Sequence, residues 1–391
     1  MTERERALEL LRRIDRESLY ASIVLLGEAG FVRTIVLGVL RWRSRLDHAI
    51  ETFADRSIEK LDPLVVDILR IGIYQLQFMD VPQYAAVSET VDLAARRAAR
   101  ARGFVNAILR RATGGLPDAP DLATKFAHPR WLFDRWSRLF GEERAAAIAE
   151  ANQQLSYPDV LLLGGAPPPS AAPSTLVRDV FKLQGSSADL DRERFYPMDE
   201  GSALIADIAV NAGHDVLDIA AAPGGKTLYM RSHGAEVTSS DISITRLQPL
   251  VGRQSRLVVA DGREPPFRRR FPVVLLDAPC SATGTIRKHP EIKWRLRESD
   301  LASFASLQKQ LLASALDITD EHLVYSTCSL EPEENDGVVD AVLRTRSEFQ
   351  RADIARLVPE GARRWLDQGV LRLTPDSGAD GFTAFVLSRS R

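Results

Sequence analysis

The chain of 391 residues is 45% hydrophobic, and its 51 basic against 53 acidic side chains leave a formal net charge of −2. Such a length exceeds a single hydrophobic core and predicts two or three domains. No apolar run approaches the ~18 residues of a membrane span, the near-neutral charge gives no argument for nucleic acid, and two cysteines without nearby histidine spacing leave no metal site to expect.

Residues 1 to about 112 read as helical. Met1–Arg16 is charged and lacks the apolar stretch of a signal peptide, so a cytoplasmic, reducing location with free thiols is expected. Leu61, Leu64, Val65, Ile68, Leu69, Ile73 and Leu76, with Gly72 completing the pattern, lie on one face of a helix, and Pro63 falls in its first turn. A second helical pattern runs from Ser88, a candidate N-cap, to Arg111, with a break expected at Gly103. It carries Arg96, Arg97, Arg100, Arg102, Arg110 and Arg111 with no acid among them. Turn residues at Thr113–Pro120 predict the end of a first domain, Trp131–Gln154 reads as helix, and the Pro- and Gly-rich Gly164–Pro173 reads as a loop.

From Gly201 short apolar strands alternate with helical stretches, the pattern of a mostly parallel, doubly wound α/β sheet. The predicted strands are Val216–Ile219, Glu236–Ser239, Leu257–Ala260, Val273–Leu276 and Leu323–Ser326. They end at or near Asp218, Asp241, Asp261, Asp277 and Cys328, and such sheets bind ligands beyond the carboxyl ends of their strands. A single aspartate there commonly caps the next helix; four on one sheet point to a shared cleft.

The turn after the first strand, Ala220-Ala221-Ala222-Pro223-Gly224-Gly225-Lys226-Thr227, tests three ligands. A Walker A loop needs glycine where Ala220 stands, and the Gly-x-Gly-x-x-Gly spacing of dinucleotide sites is missing. S-adenosylmethionine suits the loop better, because it has no phosphates and needs close backbone approach plus an acid for its ribose. Asp241, 23 residues after Asp218, is near the ~20-residue offset for that acid; Asp261 would meet the adenine. Residues 220–226 with Asp241, Asp261 and Asp277 are therefore the expected cofactor site.

Free cysteine is most often an inert core residue. Cys280, in Asp-Ala-Pro-Cys-Ser, and Cys328, in Tyr-Ser-Thr-Cys-Ser, instead follow apolar runs where strands emerge, so both thiols should face the cleft.

LDIAAAPGGKT, LLDAPCSATGTIRKHPEIKW and VYSTCSLEPEEN resemble the glycine loop and two cysteine motifs of the bacterial ribosomal RNA m5C methyltransferases of the Sun/Fmu (RsmB) family. LRIGIYQLQFMDVPQYAAVSETVDLA and FVNAILRR are similar to the NusB-type helical RNA-binding domain that precedes the catalytic part in that family. The resemblance implies an all-α NusB-like bundle at residues 1–120, a linker or RNA-contacting subdomain at 121–195, and a Rossmann-like S-adenosylmethionine-dependent methyltransferase domain at 196–391. It implies methylation of C5 of a cytosine in 16S rRNA. Cys328 would add to C6, and Cys280 would assist removal of the C5 proton and product release. Asp277 would then bond the N3/N4 edge, and Lys226 would position the base or lower the thiol pKa. The target base must be single-stranded or flipped out, with Arg287, Lys288, His289 and Lys293 expected on flanking phosphates. The expected partner is RNA, with no membrane, no metal and a monomer by default.

The chain departs from the family at Ala220, where cysteine is usual, and at Thr319-Asp320-Glu321 in place of Gly-Gly. Residues 156–185 lack an Arg-Val-Asn segment, and Gly381-Phe382-Thr383 lacks a second aromatic. The rival readings are a transfer RNA m5C methyltransferase and a non-catalytic RNA-binding factor with a vestigial methyltransferase fold. A DNA cytosine methyltransferase is disfavoured, since such enzymes use the Pro-Cys thiol as nucleophile and lack a paired Thr-Cys-Ser motif.

Overall fold

The computed structural model describes residues 1–185, 187, 190–253 and 256–390. The chain forms two compact units, Met1–Gln154 with Ile286–Glu298, and Leu155–Thr285 with Ser299–Arg391. Among the described residues no helix is long and apolar enough to cross a membrane.

The first unit is helical: α1 Glu3–Glu17, α2 Ala21–Val24, α3 Gly30–Ala54, α4 Pro63–Phe78, α5 Gln83–Arg97, α6 Arg102–Ala112, α7 Leu122–Lys125, α8 Arg130–Phe140 and α9 Glu142–Ala151. A capping box starts α1, with the Glu5 N–H donating to Thr2 Oγ1 and the Thr2 N–H to Glu5 Oε2. Asp62 caps α4 by accepting from the Leu64 N–H at 2.8 Å, beside Pro63. Gly72 is where α4 meets its neighbours: a Cβ there would lie 2.6 Å from Leu109 and 2.8 Å from Thr90.

Several boundaries differ from the sequence expectation. Ser88 lies inside α5, which begins after Pro82, and the break falls at Ala98 (φ −147°, ψ 57°), not at Gly103. Trp131–Gln154 is split at Gly141, whose φ of 84° suits glycine. The first unit also continues past Pro120. Trp136 is fully buried, and the His128 ring meets Asn152 at 3.2 Å within a desolvated pocket that pushes the imidazole pKa well down. Turn chemistry marked a loop there, and long-range packing decided the domain edge.

The second unit opens with a small antiparallel sheet of β1 Asp159–Leu162, β2 Ala172–Pro173, β3 Val180–Lys182 and β4 Phe195–Pro197, in the order β2-β3-β1-β4. There follow α10 Glu200–Ala212, β5 Asp215–Ile219, α11 Gly225–Ser232, β6 Glu236–Asp241, α12 Ile244–Leu247, β7 Leu257–Val259 and β8 Phe271–Asp277. After the helical turn α13 Ile292–Arg295 of the first unit come α14 Asp300–Asp317, β9 Thr319–Thr327, α15 Asp336–Leu343, β10 Phe349–Arg351, β11 Leu366–Asp367, β12 Val370–Leu373 and β13 Phe382–Arg389. The small sheet shares a core with α10 through Leu161, Val180 and Leu204. Residues 121–195 are thus no separate subdomain but divide between the two units; residues 186, 188 and 189 of that stretch lie outside the described residues.

The main sheet runs β11-β12-β13-β9-β8-β5-β6-β7. β5 pairs in parallel with β6 and β8, β6 with β7, and β8 with β9, while β13 is antiparallel to β9, β10 and β12. Helices on both faces explain the continuous apolar run of β8: Val273 and Leu275 join the core of α10 and α11, Val274 and Leu276 that of α14 and α15. Strand order reverses between β5 and β8, the switch point at which such sheets bind ligands.

Ile286–Glu298, which follows the Cys280 motif, belongs to the helical unit. Trp294 Nε1 donates to the Leu40 carbonyl at 2.6 Å, and Glu291 Oε1 accepts from the Ala21 N–H at 2.9 Å. Lys293 is 1% exposed, its Nζ donating to the Arg41 and Ala127 carbonyls at 2.7 Å each. Burial, then the charges of Arg41 and Arg43, push its pKa well below the ordinary lysine value. The expectation that Lys293 grips phosphate is therefore corrected: the side chain is a structural tie. Lys293→Ala should take a donor from the Arg41 and Ala127 carbonyls and leave a cavity, at a cost of about 2–4 kcal/mol, read as a lower Tm. An unchanged Tm with weakened, salt-sensitive RNA binding would restore the phosphate role.

Candidate active site

The turn between β5 and α11 has unusual backbone at both ends. Ala220 is left-handed at φ 59°, a strained setting for a residue with a Cβ, and Gly224 has φ 111° with Leu250 packed where a Cβ would stand. Asp241, buried at the end of β6, ties this turn to the next. Its Oδ2 accepts from the Ala222 N–H at 3.2 Å and its Oδ1 from the Ser243 N–H at 2.9 Å. Ile242, 64% exposed, follows directly, and Val259, 53% exposed, closes β7 in register with Asp241, so two bare apolar side chains adjoin the acid. Asp261 is held by Arg263, Nη2 to Oδ2 at 2.6 Å, and that contact keeps its carboxyl pKa below the ordinary value.

Asp218 is fully buried. Its Oδ2 accepts from Thr227 Oγ1 at 2.6 Å, and its Oδ1 has no partner among the described residues. Burial raises its pKa to about 7 against the opposing Thr227 bond.

At the end of β8, Lys226 Nζ donates to Asp277 Oδ2 at 2.7 Å and to Ser202 Oγ at 2.8 Å, while Ser326 Oγ donates to Asp277 Oδ1 at 2.8 Å. The Phe382 ring lies 5.3 Å from the ammonium. Burial disfavours the Lys226 charge, but Asp277 outweighs it and leaves the pKa raised, so the group is a fixed cation and no general base. The two thiols are half-buried with their sulfurs 3.3 Å apart. The hydrogen bond with Cys328 first, then burial, then the charges of Cys328 and Glu334 push the Cys280 thiol well up. Gly284 on the Cys280 loop donates its N–H to the Cys328 carbonyl at 2.9 Å, and a Cβ there would strike the Gly381 carbonyl.

The structure thus brings Cys280, Cys328, Asp277 and Lys226 into one cluster beside the Ala220–Gly225 turn. Arg287, Lys288 and His289 lie half-buried in the re-entrant segment of the helical unit. Sequence reasoning missed Ser202, Ser326, Ile242 and Glu334. Glu334 stood inside the quoted VYSTCSLEPEEN block, where a Pro-Glu-Glu run reads as solvated surface; it is fully buried.

A sheet with this order, carrying its turn, acids and thiols at one edge, defines a Rossmann-like methyltransferase domain. Residues 206–387 match the family 16S rRNA methyltransferase RsmB/F, and residues 1–113 match the NusB family. Ribosomal RNA small subunit methyltransferase B of Thermus thermophilus is 34% identical over 370 residues, 91% of this chain and 87% of that one. The protein of the same name from Vibrio cholerae is 32% identical over 400 residues, 92% and 89% of the two chains. In fold, NSun6 from Pyrococcus horikoshii superposes with a TM-score of 0.57 at 17% identity, covering 67% of this chain and 98% of that one. The chain belongs to the RsmB/F family and is an S-adenosylmethionine-dependent RNA methyltransferase.

A carboxyl with a higher pKa folded than unfolded favours the fold only while protonated, so the Asp218 contribution is complete below about pH 4 and lost as pH rises through about 7. Wild-type Tm should therefore fall between about pH 5 and about pH 8 more steeply than that of Asp218→Asn. Parallel Tm profiles for the two proteins would show that the buried carboxyl does not titrate in this range.

Proposed function

We propose that this enzyme methylates C5 of a cytosine in 16S ribosomal RNA through a covalent bond between Cys328 and C6. The observation that carries the reading is the pair of thiols 3.3 Å apart at the ends of β8 and β9, beside the Lys226–Asp277 ion pair. The names of the relatives and the NusB-family region support the ribosomal target.

The site's donor set suits S-adenosylmethionine: acidic acceptors at Asp241 and Asp261, bare apolar faces at Ile242 and Val259, and a close-approach turn at Ala220–Gly225 bounded by Lys226 and Asp277. When bound, it supplies an electrophilic methyl group for C5.

C5 of cytosine is not nucleophilic until a thiolate adds to C6 and makes it enamine-like. The Lys226 ammonium supplies positive charge near the Cys328 sulfur. Asp277, held by Lys226 and Ser326, bonds the N3/N4 edge of the base. In the free enzyme Cys280 keeps its proton, chiefly because of Cys328. Once the Cys328 sulfur is bonded to C6, that hydrogen bond and charge are gone, so Cys280 gives its own proton to water and its thiolate takes the proton from C5. The C5–C6 double bond re-forms and Cys328 leaves as thiolate. Arg287, Lys288 and His289 are the proposed contacts to phosphates flanking the flipped base.

Methyl transfer from radiolabelled S-adenosylmethionine to unmodified 16S rRNA and to bulk transfer RNA tests this. Cys328→Ala should lose at least about a thousandfold in rate, and Cys280→Ala should accumulate a covalent protein–RNA adduct. Label confined to transfer RNA would move the substrate, and an adduct formed by Cys328→Ala would exchange the roles of the thiols.

A further inference from the structure

Each cysteine is followed by a serine, and both serines converge on one acid. Glu334, in the turn Pro332–Glu334 before α15, is 0% exposed. Its Oε2 accepts from both Ser281 Oγ and Ser329 Oγ, and the two hydroxyls lie 3.0 Å from each other. Its Oε1 accepts from the Ser281 N–H at 2.8 Å and from Gln308 Nε2 at 3.0 Å. Gln308 Nε2 also donates to the Pro279 carbonyl at 2.8 Å, on the other side of Cys280. The Glu334 carbonyl in turn accepts from the Tyr325 hydroxyl at 2.6 Å, fixing the turn against β9.

These four donors are neutral groups, so a buried carboxylate is retained here without a cationic partner among them. Burying such a charge is costly, and packing alone would be served by an apolar residue. What the carboxylate does that an apolar residue cannot is accept from both loops at once. The two loops come from different strands, β8 and β9, and the sulfurs they carry lie 3.3 Å apart.

We propose that Glu334 is a positioning residue for methyl transfer, setting the spacing of the two thiols by holding the residue after each cysteine. The inference rests on the two-cysteine reading above. Glu334 itself touches neither reacting atoms nor cofactor. Glu334→Leu keeps about the same volume but has neither donor nor acceptor, so the two hydroxyls and the Ser281 N–H lose their shared partner and the clasp opens.

The test uses the full-length protein. Diamide oxidises the Cys280–Cys328 pair to a disulfide, taking up the two thiol hydrogens itself, and intact mass follows the rate. Glu334→Leu should slow disulfide formation about tenfold or more and lower kcat about as much, leaving KM for S-adenosylmethionine within about twofold. Removing a negative charge beside the thiols would by itself favour thiolate and speed the oxidation, so slowing reports geometry. An unchanged disulfide rate would overturn the proposal, as would a loss of kcat no larger than the unfolded fraction explains. Ser329→Ala, which removes a single donor, gives the same readout with a smaller slowing if Glu334→Leu does not fold. The oxidation needs neither RNA nor methyl donor, so a wild type without methyl transfer would contradict the proposed function and leave the spacing measurement standing.

Discussion

The charge pair of Lys226 and Asp277 is the constraint on which the arrangement of the site depends. A lysine ammonium with only 11% of its side chain exposed is held because Asp277 lies 2.7 Å away and Ser202 Oγ accepts a second hydrogen bond from it. Asp277 is held in turn by Ser326. One ion pair with two hydroxyls therefore fixes the start of α11, the end of β8, the start of α10 and β9. Removing either charge would strand the other in a poorly solvated place, a loss usually larger than the net worth of the pair. The same pairing denies Lys226 a role as base.

Around that pair the site is built in layers of polar groups that answer one another. Asp241 ties two backbone turns, and Glu334 ties two cysteine loops. Gly284 and Gly381 pass so closely that the Gly381 N–H reaches the Gly284 carbonyl at 2.8 Å. In each case a connection between strands is made by hydrogen bonds that only one backbone or side-chain geometry satisfies, which is how loops acquire the precision of a scaffold.

Of the five parallel strands, β5, β7, β8 and β9 were legible as short apolar runs that stop at or near a polar residue, whereas β6 reads EVTSSD and is mostly polar; the cysteine cluster was legible because both cysteines broke the pattern of core cysteine. The antiparallel strands β10–β13 were not. β13 reads FTAFVLSR, apolar enough for any buried element, and its place beside β9 is a long-range pairing that no local signal encodes. Lys293 misled for the same reason: in sequence it is one more cation in a basic cluster, and its partners stand 252 and 166 residues away. Glu334 hid in an acidic run, and the domain edge hid behind turn residues that end helices without ending a core.

The most direct measurement is a trapping experiment with 16S rRNA transcribed with 5-fluorocytidine in place of cytidine. Fluorine at C5 cannot leave as a proton, so an enzyme that bonds to C6 and methylates C5 stalls as a covalent complex. In the presence of S-adenosylmethionine the account predicts such a complex, with digestion and mass spectrometry placing a methylated fluorocytidine on the peptide that contains Cys328. A linkage through Cys280, or methylation of ordinary 16S rRNA with no trapped complex from its fluorinated form, would contradict it.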